Sequence, residues 1–179
     1  HGLYYHTTFH DLQASSHLVM LPVESTLIAS ELTSAFTGGA DHLLLVNCGN
    51  IRPHLYTLGL IRDIWLNGSA DAGNYPQAFA SRYFSAAADT AERCLRQYFA
   101  AAIQYGPHAD DKAGDEFYHH PARSLAGHLM RDECSQVADD LRWATGEQTF
   151  DGQLQWFLDR CLPALPRLAA LLQQCSQLA

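Results

Sequence analysis

The sequence predicts a mixed, mainly α fold in which a short parallel βαβα unit is followed by an α-helical domain. Three observations predict it. Gly2-Leu3-Tyr4-Tyr5-His6 and His42-Leu43-Leu44-Leu45-Val46-Asn47 are short apolar runs of strand character. Segments of helical spacing follow each of them, which gives the order strand, helix, strand, helix. Beyond Ser69 no stretch reads as a strand. A strand-helix-strand unit defaults to parallel strands with a right-handed crossover.

The elements follow in order. Between the two strands, Pro22 to Phe36 places Leu27, Ile28, Leu32 and Ala35 at helical spacing, with Glu24 and Ser25 at its start and Gly38-Gly39 as its stop. The second run, bounded by Asp and Gly, reads as a strand buried on both faces. Cys48-Gly49-Asn50 turns the chain, and Pro53 suits the first turn of a helix carrying Leu55, Leu58, Ile61, Ile64 and Trp65. That helix should stop near Asn67-Gly68, and a domain boundary falls there, giving residues 1–68 and 69–179. In the second part, Tyr75 to Phe84, Ala86 to Tyr105, Pro121 to Met130, Glu133 to Trp143 and Asp151 to Leu178 read as helical. Gly106-Pro107 should end the second of these, and Pro163 and Pro166 should divide the last.

Composition limits the function. Hydrophobic residues are 47% of 179, enough to bury a core and to exclude wholesale disorder. Nineteen acidic against 11 basic side chains give a net charge of −8, which argues against nucleic acid as a partner. Lys112 is the sole lysine, so a polybasic arm or membrane patch is excluded. The longest apolar runs fall far short of the roughly 18–20 residues of a membrane span. No signal peptide is visible, and a start at His1 rather than Met reads as a chain processed or cut from something longer, so no compartment follows. The five cysteines are odd in number and form no CxxC pair, which points to buried thiols instead of a zinc ribbon or disulfide scaffold.

Polar residues at the carboxyl ends of parallel strands are where such folds bind ligands. His6 closes the first run and Asn47 the second, and the following loop carries Asn50, Arg52 and His54 into a helix start. Arg52 can hold a carboxylate in bidentate fashion, and His6 can act as acid, base or hydrogen-bond donor. A plainer role, capping the strand ends through backbone hydrogen bonds, is open to His6 and Asn47 alike.

Ten histidines raise the question of a metal, but neither the His6, His10, His17 region nor His119-His120 has a ligand spacing such as HExxH. Neither a metal nor a cofactor is expected. Gly38-Gly39 precedes a strand, so it is not a phosphate loop, and no GxSxG elbow occurs. Cys48 lacks a patterned base. Tyr83, Phe84, Tyr98, Phe99 and Tyr105 read as core, and Asp110-Asp111 and Asp139-Asp140 as solvated carboxylates.

Two segments, Gly2-Leu3-Tyr4-Tyr5-His6 and Leu44-Leu45-Val46-Asn47-Cys48-Gly49-Asn50-Ile51-Arg52-Pro53, resemble paired motifs of glycoside hydrolase family 115. There a Tyr-Tyr-His strand is followed by a strand ending Val-Asn-Val-Gly-Asp-Ile-Lys-Pro, so Asn50 stands at an aspartate position and Arg52 at a lysine position. The resemblance implies xylan α-glucuronidases, with a TIM-like barrel and then a helical domain. Residues 1–68 would be the last βα units of that barrel. It further implies inverting hydrolysis with His6 and Asn47 as catalytic residues; Asn50, Arg52, His54 and His10 are the candidate substrate ligands beside them. The general acid is expected upstream of His1, since no paired carboxylates suit that work in the α/β part. The partners expected are a carbohydrate, an acidic glycan in particular, and the remainder of the parent polypeptide. Two competing readings are a non-enzymatic helical accessory module and a metal-dependent hydrolase using His6 and His10.

Overall fold

Short apolar runs and helical spacing yield the expected order of elements at the start of the chain. The structure, a computed structural model, describes residues 1–8, 20–109, 111–113 and 119–178. Strand β1 (Gly2–His6) pairs in parallel with β2 (Leu43–Asn47), in a register running from Gly2 opposite Leu43 to His6 opposite Asn47. Helix α1 (Ser25–Thr37) connects them and buries Ile28, Ala29 and Leu32. Its start is held by the buried Ser25 hydroxyl, which donates to the Ala72 carbonyl at 2.9 Å. After β2 a 3-10 turn (Arg52–His54) leads into α2 (Leu55–Asn67). Gly68 ends α2 at φ 76°, a left-handed geometry that favours glycine, and its N–H bonds the Ile64 carbonyl at 2.7 Å.

The two-strand sheet is covered on one face only among the described residues, contrary to the expectation for β2. Leu3, Tyr5, Leu44 and Val46 pack on a core built from Ile28, Leu32, Leu60 and Ile64. On the opposite face Tyr4, Leu43 and Leu45 are 53%, 64% and 59% exposed. Side chains alternate along a strand, and α1 and α2 pack together against the same side. A continuous apolar run therefore left one face of the sheet bare.

Helices α3 (Tyr75–Tyr83) and α4 (Ala88–Ala101) extend this core beyond residue 68. The Tyr56 ring meets Tyr75 at 4.9 Å and Phe99 at 5.4 Å between centroids. Of the aromatic residues assigned to core, Phe99 is buried, Tyr98 and Tyr105 are half-buried, and Tyr83 and Phe84 are exposed. Tyr98 still reaches inward, its hydroxyl donating to the Met20 carbonyl.

Helix α4 stops before Gly106-Pro107, because the following residues pair as strands that the pattern did not reveal. Strand β3 (Ile103–Gln104) lies antiparallel to β4 (Lys112–Ala113). Asp111 closes the loop, its carboxylate accepting the His108 N–H at 2.8 Å and its carbonyl the Tyr105 N–H at 2.9 Å. Lys112 caps α4 from outside through its ammonium on the Phe99 carbonyl, 3.1 Å away.

Among the described residues, four further α-helices follow: α5 (His119–Met130), α6 (Arg142–Thr145), α7 (Phe150–Arg160) and α8 (Ala164–Cys175). The helix expected over Glu133 to Trp143 is replaced by turns, a 3-10 turn at Asp139–Leu141 and the short α6. Gln153 explains this: it is fully buried, accepts the Ala138 N–H at 2.8 Å and donates to the Ala138 carbonyl at 2.9 Å. Both backbone groups of Ala138 are thereby diverted from a helical ladder. Pro163 divides α7 from α8 as expected, whereas Pro166 sits harmlessly in the first turn of α8. Among the cysteines, Cys94 and Cys161 are buried and Cys48, Cys134 and Cys175 half-buried, fewer buried thiols than expected.

Candidate active site

The parallel register sets His6 directly opposite Asn47 at the carboxyl ends of β1 and β2. Alternation places both on the open sheet face, together with Tyr4 and Leu45. Tyr4 joins them. The Asn47 amide donates to its hydroxyl at 2.9 Å, and the His6 ring meets its ring edge-on at 4.7 Å between centroids.

Two buried threonines behind this trio fix the strand ends. Thr7 bonds the Asn47 carbonyl twice, through its N–H at 3.0 Å and its hydroxyl at 3.1 Å. Thr8 accepts the Gly49 N–H at 3.2 Å. The Asn47 carbonyl is thus occupied while its side chain stays on the exposed face.

The loop leaving β2 carries the next candidates. Asn50 accepts the Arg52 N–H on its side-chain oxygen at 3.3 Å, a local turn that stiffens the loop. Arg52 is exposed, with its guanidinium available to an anion. His54 is fully buried under the loop, because the turn into α2 directs it to the side where Tyr56, Thr57 and Leu60 enter the core. His10 lies outside the described residues.

Between β1 and α1 an open cleft of about 470 Å³ is lined by Tyr5, His6 and Glu31 over apolar residues that include Leu21 and Ile28. Burial, with the Glu31 carboxylate beside it, pushes the Tyr5 phenol up to about 12, so it remains a protonated donor across the neutral range. Sequence reasoning missed Tyr4, the two threonines and Glu31. Alternation along β1 was the available signal for Tyr4, since it shares the face of His6. For Glu31 only a helical position one turn from Leu27 and Ile28 was available, and nothing in it distinguished a cleft from solvent.

Among the described residues no group of three His, Cys, Asp or Glu side chains is placed to hold a metal ion. No helix among them is long and apolar enough to cross a membrane. The trio offers hydrogen-bond donors and acceptors next to an exposed aromatic ring, a combination suited to sugar hydroxyls and the apolar face of a pyranose.

Polar side chains at the carboxyl ends of adjacent parallel strands are the ligand-binding arrangement of α/β enzymes. The family model of glycosyl hydrolase family 115 matches residues 1–107, which span the sheet, its helices and α4. The chain belongs to this family of glycoside hydrolases. No curated protein and no solved structure matches it.

Proposed function

We propose that the chain is an internal fragment of an α-glucuronidase that removes glucuronic acid, or its 4-O-methyl ether, from xylan by inverting hydrolysis. Residues 1–68 are the last βα units of a TIM-like barrel, and residues 69–179 a helical domain behind it. The single observation that carries this reading is the His6–Tyr4–Asn47 trio at the carboxyl ends of two parallel strands. The bare apolar face of Tyr4, Leu43 and Leu45 supports it, since the inward face of a barrel is filled by side chains from its other strands.

His6 and Asn47 hydrogen-bond hydroxyls of the glucuronosyl ring, and these bonds strengthen as the ring flattens toward an oxocarbenium-like transition state. Tyr4 orients the Asn47 amide. Arg52 pairs with the uronate carboxylate, for which a planar fork is well shaped. Asn50 and His10 complete the sugar contacts, and His54 supports the loop from beneath. The carboxylic acid that protonates the leaving oxygen, and the base that activates water, come from the remainder of the parent polypeptide. The partners are an acidic glycan and the remainder of the parent polypeptide.

The test is sugar release by the parent protein from glucuronoxylan oligosaccharides, compared with the same oligosaccharides bearing neutral branches. Release confined to glucuronic acid or its methyl ether is expected. Release of a neutral sugar, with none of the uronic acid, overturns the substrate assignment.

A further inference from the structure

Helices α4 and α8 pack against each other. Ile103, just past the end of α4, shares a core with Ala164 at the start of α8. Farther along, Gln97 and Ala101 of α4 and Arg167, Ala170 and Gln174 of α8 line one groove. The helices are therefore antiparallel. Continued toward the start of α4, that register brings Cys94 beside Cys175 as its neighbouring thiol. Cys94 is buried and Cys175 half-buried, so only one member of the pair faces an incoming reagent.

We propose that Cys94 and Cys175 form a redox latch, closed as a disulfide by an external low-molecular-weight disulfide of the glutathione type. The Cys175 thiolate attacks one sulfur of the oxidant, forming a mixed disulfide and releasing one thiol. Cys94 then loses its proton and attacks the Cys175 sulfur, expelling the second thiol. Two protein thiols are oxidised by two electrons, and one external disulfide is reduced to two thiols. Burial and the neighbouring thiol push Cys175 up to about 11, so at neutral pH the pair reacts slowly. That suits a structural latch better than a catalytic dithiol.

The closed latch fastens α8 onto α4, which lies within the residues matched by the family model, while α8 lies outside them. It also closes a loop of about 80 residues holding β3, β4 and α5 to α7, a length at which a cross-link restricts the unfolded chain strongly. The remaining cysteines serve as internal controls, since Cys161 belongs to a different contact set with Ala144 and Trp156.

The experiment treats the intact chain with oxidised glutathione and maps its peptides by mass spectrometry without reduction. A Cys94–Cys175 linked pair is expected, with loss of two free thiols and a thermal midpoint raised by roughly 5 °C or more, reversed by dithiothreitol. Cys175→Ser should abolish both the linked pair and the rise. Peptide mapping of the unsubstituted chain decides the matter even if that variant folds poorly. Cys175 carrying only glutathione while Cys94 stays a free thiol overturns the latch, as does a linkage dominated by Cys48, Cys134 or Cys161.

Discussion

Asn47 donates its side-chain amide to the Tyr4 hydroxyl across the sheet at 2.9 Å, which fixes the direction in which a strand-end amide can meet a ligand. Tyr4→Phe removes the hydroxyl and keeps the ring against His6. Both partners are exposed, so the fold should barely notice, with a change within about 1 kcal/mol for one solvent-accessible hydrogen bond. Turnover of the parent enzyme should fall about tenfold, mainly in kcat, as expected for a lost orienting contact. Steady-state kinetics beside a thermal melt separate the two effects.

Gly59 is needed for close approach. A Cβ there would collide with the Tyr75 hydroxyl, which donates to the Tyr56 carbonyl at 3.0 Å. Ordinarily Gly→Ala in a helix gains about 1 kcal/mol. Here Gly59→Ala should destabilise the protein by about 1–3 kcal/mol, because overpacking and a displaced buried hydrogen bond outweigh helix propensity. Urea unfolding measures the sign directly.

Gln153→Leu tests the anchor of the C-terminal helices. The substitution leaves the Ala138 N–H and carbonyl buried without their partner, at about 1–3 kcal/mol each. The expected loss is about 2–4 kcal/mol, read as a lower midpoint in chemical denaturation. Residues Leu125, Leu141 and Phe150 around it should loosen first, seen as faster amide exchange there.

Alkaline pH should unfold the chain. Burial first and Glu31 second raise Tyr5 from 10.0 to about 12, and burial raises Cys161 from 9.0 to about 12. A folded-state value above the unfolded one contributes stability that is complete below the unfolded value and disappears as pH rises through the folded one. The urea midpoint should therefore lose the Cys161 contribution from about pH 9 and the Tyr5 contribution from about pH 10, each through about 12. Tyr5→Phe should fall less steeply across pH 10–12 than the unsubstituted chain. Equal slopes for the two would contradict the assignment of Tyr5.

Local signals were legible in the sequence where they were strong and short-range. Apolar runs located β1 and β2, Gly68 ended α2, Pro163 split the last helix, and the polar strand ends pointed to His6 and Asn47. Tertiary determinants were not legible. The unbroken apolar run of β2 up to Asn47 could not say which face the helices would leave bare, and two-residue strands such as β3 and β4 are too short for a period. The diversion of Ala138 depends on Gln153, fifteen residues away, which local periodicity cannot sense. His54 shared a loop with Asn50 and Arg52, yet one step into the turn reversed its direction from solvent to core.

The central claim, that His6 takes part in glycoside hydrolysis, is tested most directly by His6→Ala in the parent enzyme. Release of uronic acid from glucuronoxylan oligosaccharides should fall by at least about a hundredfold, the scale of a positioned catalytic group. His6 is half-buried with its ring against Tyr4, so a thermal melt run beside the assay shows that the variant is folded. Near-normal release from a folded His6→Ala enzyme would contradict the account.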